Sequence, residues 1–73
     1  MQPDEDAIFE AGDMSCGELL LALRKRLRGM PGKTLKLVTQ DAGALEDIPA
    51  FCRITGHELQ HRDAYAYWIR ARD

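Results

Sequence analysis

Cys16 is the residue whose type and neighbours could do chemistry. Upstream, Ile8-Phe9-Glu10-Ala11 is apolar enough for a first strand, and Gly12-Asp13-Met14-Ser15 reads as a turn-like link. Downstream, Leu19, Leu20, Leu23, Leu27 and Met30 recur at helical spacing. This puts Cys16 near the N-cap of a helix, where free backbone N–H groups and the positive end of the helix dipole converge. Such a field favours thiolate over thiol, and the thiolate is the nucleophile. The plainer reading is a small residue at a helix start. A second chemical pattern is His57-Glu58-Leu59-Gln60-His61, the H-E-x-x-H spelling of a zinc-hydrolase helix. That motif needs its histidines one helical turn apart. Here it follows a helix-ending Gly56 and precedes a hairpin, so it reads as a strand. Strand residues four apart lie roughly 13 Å apart. One zinc, ~2 Å from each nitrogen, cannot hold both. We expect no metal site.

The elements that must position Cys16 follow from periodicity. In the first helix, Leu20, Leu23, Leu27 and Met30 form one stripe with Leu19 beside it, and Arg24, Lys25, Arg26 and Arg28 fill the late, outer face. Gly29 and Pro31-Gly32 end it. Thr34 to Thr39 alternates, with Leu35 and Leu37 on one face, and reads as a strand. A second helix is capped either by Asp41, starting near Ala42, or by Asp47, with Pro49 in its first turn. In both versions Leu45, Ile48, Phe51, Cys52 and Thr55 point inward and Gly56 stops the helix. His57 to Arg62 and Tyr65 to Arg70 form a hairpin across Asp63-Ala64, with Tyr65, Tyr67 and Ile69 opposite Ala66, Trp68 and Arg70. The order is βαβαββ. The expected class is α+β: a two-layer sandwich with both helices on one face of a four-stranded mixed sheet.

Composition bounds the function. The chain has 73 residues and a formal net charge of −2. That is one small domain, with residues 7–73 as its body and the acidic residues 1–6 as a flexible tail. No global basic field argues for direct nucleic-acid binding. No apolar run is long enough to span a membrane, and no secretory pattern is present. Two cysteines without such a signal imply free thiols in a reducing compartment, the cytoplasm. Cys52, on the inward stripe of the second helix, reads as packing.

The chain resembles the TusA/SirA-like sulfur-carrier proteins over nearly its full length. Their pattern is a strand, a loop, a Cys-Pro-x-Pro motif opening a helix, and an Arg-Lys pair on that helix. Cys16-Gly17-Glu18-Leu19 stands in the motif's place, and Arg24-Lys25 matches the pair. Asp47-Ile48-Pro49-Ala50-Phe51-Cys52, Gly56-His57-Glu58-Leu59 and Tyr65-Ala66-Tyr67-Trp68-Ile69-Arg70 resemble the family's D-I-P-x-F-C, G/E-H-E-L and Y-x-Y-x-I-R segments in the same order. The resemblance implies a persulfide held on Cys16. Its sulfur comes from a donor protein of the cysteine desulfurase or rhodanese type and goes to an acceptor protein, feeding tRNA thiolation, cofactor synthesis or sulfur oxidation. No cofactor is implied.

Both motif prolines are absent. Gly17 lacks the pre-organisation of proline and frees the helix start. Glu18 supports the helix yet opposes a nearby thiolate. The basic residues are either a solvated face or a patch for an acidic partner, with Arg24 and Lys25 nearest the docking surface and Asp41 and Asp47 sharing it. The alternative reading is a non-catalytic interaction or regulatory module on the same fold. A redox enzyme would need a resolving cysteine beside the first. The charged faces imply a monomer with transient partners.

Overall fold

The computed structural model describes residues 4–73, the side chain of Cys16 excepted. Six elements follow in chain order: β1 (Ala7–Gly12), α1 (Cys16–Arg28), β2 (Thr34–Thr39), α2 (Ala44–Thr55), β3 (Glu58–Asp63) and β4 (Ala66–Arg70). The sheet order is β1-β2-β4-β3, with β1 parallel to β2 and both remaining pairs antiparallel. This is the α+β arrangement expected from the sequence.

Alternation decides which face is buried. Phe9 and Ala11 of β1, Leu35 and Leu37 of β2, and Tyr67 and Ile69 of β4 pack with Leu19, Leu23 and Leu27 of α1 and Ala44, Ile48 and Cys52 of α2. Leu19, Leu23, Leu35, Leu37, Ile48 and Ile69 are fully buried. Each such side chain contributes about 1.5–3 kcal/mol relative to exposure. The α1 stripe is therefore centred on Leu19, Leu23 and Leu27, with Leu20 and Met30 half-buried at its margin.

Several local expectations are corrected. The second helix starts at Ala44, behind Gly43, and not near Ala42 or after Asp47. Pro49 therefore lies inside the helix, not in its first turn. Its missing N–H falls opposite the carbonyl of Leu45. Leu45 is 51% exposed, so it does not join the inward stripe, and water on that side can satisfy the carbonyl. The inward stripe of α2 is Ala44, Ile48 and Cys52. Gly56 does end the helix, in the left-handed region at φ 85°. The hairpin turns at Ala64-Tyr65, with Ala64 at φ 52°, one residue later than the sequence suggests.

Trp68 faces away from the helices and is nonetheless 1% exposed. Its indole N–H donates to Glu5 Oε1 at 3.1 Å. The His61 ring centroid lies 5.2 Å from its own, and Lys36 Nζ lies 5.2 Å from the ring centroid. The N–H of Asp6 donates to the Thr34 carbonyl at 2.7 Å, and the Thr34 N–H donates to Asp6 Oδ2 at 2.9 Å. Of the segment read from sequence as a tail, Glu5 and Asp6 are thus bonded to the sheet, and residues 1–3 lie outside the described residues.

Candidate functional site

The parallel pairing of β1 with β2 determines what meets at the site. Both helices follow the C-terminal ends of these neighbouring strands, so both helix N-termini lie at the same end of the molecule. The Gln40 N–H, just after β2, donates to the Gly12 carbonyl at the end of β1 (3.4 Å), tying the two loops together. Cys16, Gly17 and Glu18 on α1 share this end with Asp41, in the turn before α2, and Asp47 on α2. Arg24 and Lys25 do not: they lie in the second half of α1.

Cys16 is the first residue of α1, and Ser15 is its N-cap. The side chain of Cys16, and with it the expected lowering of its pKa, lies outside the described residues. Around it, the Glu18 N–H donates to Ser15 Oγ at 3.5 Å, and the Ser15 hydroxyl donates to Glu18 Oε1 at 3.3 Å. The sequence carries this device as Ser-x-x-Glu, the signature of a reciprocal helix cap, which apolar periodicity alone does not show. The Glu18 carboxylate is thereby drawn to the cap. A Cβ built on Gly17 meets nothing within 4 Å. Nothing in the fold demands glycine there.

At the start of α2, the Gly43 N–H donates to Asp41 Oδ1 at 3.4 Å, and the Asp41 N–H donates to Thr39 Oγ1 at 3.2 Å. Asp41 therefore shapes the turn three residues ahead of Ala44, the first residue of the helix. Its Oδ2 is buried without a hydrogen-bond partner among the described residues. Asp47 lies in the first turn, where its charge suits the dipole. Its Oδ2 and that of Asp41 both approach Gly43, at 3.3 and 3.5 Å from a Cβ built there. The two carboxylates thus flank one helix start. Burial pushes the Tyr67 phenol pKa up, Arg62 offsets part of that, and Asp41 adds to the rise.

Cys52 occupies a different environment. It is 4% exposed, and burial pushes its thiol pKa from 9.0 to about 11. The thiol is inert at neutral pH, as expected of a packing residue.

The basic residues disperse. Arg26 lies over the Phe9 ring at 4.2 Å, covering part of β1. Arg24 lines a cleft of about 650 Å³ at the far end of the helices. Arg72 and His57 line it too. No sequence signal singled out Arg72, since it lies past the last strand and belongs to no periodic pattern.

The segment His57 to His61 enters the edge strand β3, not a helix. His57 Nδ1 accepts the Arg72 N–H at 3.0 Å, while His61 packs on Trp68. Among the described residues no helix is long and apolar enough to cross a membrane.

Comparison with known proteins adds the relationship. The family model described as "Sulfurtransferase TusA" matches residues 9–71. A sulfur carrier protein TusA of Pseudomonas paraeruginosa is 41% identical over 70 residues, covering 89% of each chain. Proteins of the same name from Pseudomonas putida F1 and Pseudomonas savastanoi pv. phaseolicola are 40% and 39% identical over 70 residues, covering 89% of this chain and 88% and 83% of theirs. With so much of its length matched, the chain belongs to the sulfurtransferase TusA family.

Proposed function

We propose that this protein is a sulfur carrier in which Cys16 holds a persulfide between a donor and an acceptor protein. The observation that carries the reading is the position of Cys16 as the first residue of α1 in a chain of this family. The Cys16 thiolate attacks the terminal sulfur of a donor persulfide. One S–S bond forms on Cys16 as the donor's S–S bond breaks, and the donor cysteine leaves as thiolate. In the second step an acceptor thiolate attacks the terminal sulfur, and Cys16 leaves as thiolate. Sulfur moves without an external oxidant or reductant.

The residues around Cys16 serve this exchange by shaping the helix start. Backbone N–H groups of the first turn and the α1 dipole stabilise the thiolate as nucleophile and as leaving group. Gly17 leaves that turn open to an approaching partner. Glu18 is held by Ser15, which fixes its carboxylate at the helix cap. Asp41 and Asp47, at the same end, define an acidic border of the docking surface. The donor is a persulfide-bearing protein of the cysteine desulfurase or rhodanese type. The carrier works in the cytoplasm as a monomer whose single domain spans residues 7–73.

Intact-mass analysis after incubation with a persulfide donor tests this. Wild type gains about one sulfur mass (about 32 Da), removed by a reducing thiol, and Cys16→Ser gains none. Wild type without added sulfur would sink the reading. The absence of both motif prolines favours one alternative, a binding module that retains the fold and leaves Cys16 unused. In that case Cys16→Ser would remain functional.

A further inference from the structure

The far end of the helical layer holds a feature that sulfur transfer does not use. A cleft of about 650 Å³ opens between the C-terminal ends of α1 and α2. Arg24, Arg28 and Arg72 line it. Among the described residues, no ion pair engages Arg24 or Arg28. Leu27, Pro31 and Ile54 supply apolar wall, and Ile54 is 84% exposed. We propose that this cleft is a binding site for a small organic oxyanion, a phosphate or carboxylate group carried on an apolar body.

The simpler account of basic residues at helix C-termini is dipole complementation. It covers two of the three, Arg28 in the last turn of α1 and Arg72, and leaves Arg24. Arg72 donates through Nη1 to the Thr55 carbonyl at 3.2 Å, capping α2. Arg24 lies a turn before the end of α1, and neither it nor Arg28 bonds a terminal carbonyl. Two arginines on one helix face, four residues apart, therefore stand beside a third without a counter-charge between them. Asp73 also lines the cleft, but its carboxylate is turned to Gly32, 2.6 Å from a Cβ built there. The lining is positive although the whole chain is net negative.

His57, which also lines the cleft, adds a donor. Its Nδ1 is committed to the Arg72 N–H, so the neutral ring carries its proton on Nε2. Burial, then the nearby Arg72, lowers its pKa and keeps it neutral near pH 7. Phe51 lies against the same ring, with centroids 5.9 Å apart. Planar guanidiniums with an N–H beside them match the several acceptor oxygens of a phosphate or carboxylate.

The volume argues against free phosphate alone. It falls in the range of small-molecule sites, about 300–1,000 Å³, and the apolar wall needs an apolar partner. Arg24 and Arg28 stand eight and twelve residues beyond Cys16, about 12 and 18 Å along the helix. An occupant would leave Cys16 uncovered, so the site is independent of the sulfur-transfer reading.

The test is an amide NMR titration of the full chain with phenyl phosphate, benzoate, inorganic phosphate and benzyl alcohol. Saturable shifts are expected at Arg24, Arg28, Ile54 to His57 and Arg72. Phenyl phosphate or benzoate should bind about tenfold or more tighter than inorganic phosphate, and benzyl alcohol should not bind. Comparing phenyl phosphate with benzoate tells which oxyanion the site takes. Arg28→Gln should weaken binding about tenfold with the rest of the spectrum unchanged; Arg24→Gln is the second variant, because Arg72 also caps α2. Equal affinity for inorganic phosphate, meaning an adventitious ion only, would overturn the proposal. So would shifts centred elsewhere, unchanged affinity in both variants, or preference for an acidic peptide over either small anion.

Discussion

The two ends of the helical layer are built from similar parts to opposite effect. At one end, two helix N-termini meet, carrying Cys16 on α1 and the Asp41–Asp47 pair beside α2. At the other, two helix C-termini meet under three arginines. Glycines stand at both ends but answer different needs. Gly17 lies in open space, whereas Gly56 holds φ 85° with the Arg72 side chain 3.4 Å from where a Cβ would be. The cysteines differ likewise: Cys16 starts a helix, and Cys52 is buried inside one. One end of this fold carries the cysteine proposed to hold sulfur. The other closes the fold and collects positive charge.

The largest predicted effect separates the cysteines. Cys16→Ser should abolish sulfur loading, and Cys52→Ala should leave it intact, as read by intact mass. Equal loading of the two variants would erase the distinction. Second is reactivity. With its pKa raised from 9.0 to about 11, Cys52 holds about a hundredfold less thiolate than a free cysteine at neutral pH. In folded protein its alkylation should slow by about that factor, and denaturation should restore it.

The glycines come next. Gly56→Ala should cost about 1–2 kcal/mol, because the left-handed backbone strains any Cβ. Gly17→Ala should stabilise by about 0.5–1 kcal/mol. Urea unfolding checks both, and a matching sign would break the contrast. Ser15→Ala should cost about 1 kcal/mol through loss of the α1 cap and should make Glu18 side-chain signals more mobile in NMR.

The smallest effect is a pH dependence. Burial and Arg72 depress the pKa of His57 below its usual 6.5. The folded state therefore disfavours its charged form. The stability this residue contributes is fully present above about 6.5 and is lost as pH falls through that value toward the folded pKa. His57→Gln should flatten the urea midpoint across this window, and an unchanged slope would show that His57 titrates freely.

Much of this was legible in the residues. Thr34 to Thr39 alternates cleanly and forms β2 over those same residues. The leucines of α1 locate its buried face to within one position. Ser15 and Glu18 encode the cap three residues apart. The failures have physical causes. Pro49 reads as a helix start because proline is tolerated in a first turn, yet it sits mid-helix where the orphaned carbonyl of exposed Leu45 can find water. Trp68 alternates onto the outer face, and only neighbours from other parts of the chain, Glu5, Lys36 and His61, show why it can be buried there.

By itself the sequence determined the order of elements, the apolar face of α1 and of β2, and the place of Cys16 at a helix start. Those are set by periods of two and 3.6 residues and by caps a few residues long. Tertiary structure alone decided which ends meet. The parallel pairing of β1 with β2 brings both helix N-termini together and gathers Arg24, Arg28, His57 and Arg72 at the opposite end. Such juxtapositions depend on strand pairing between distant residues, and no local pattern of residue types encodes them.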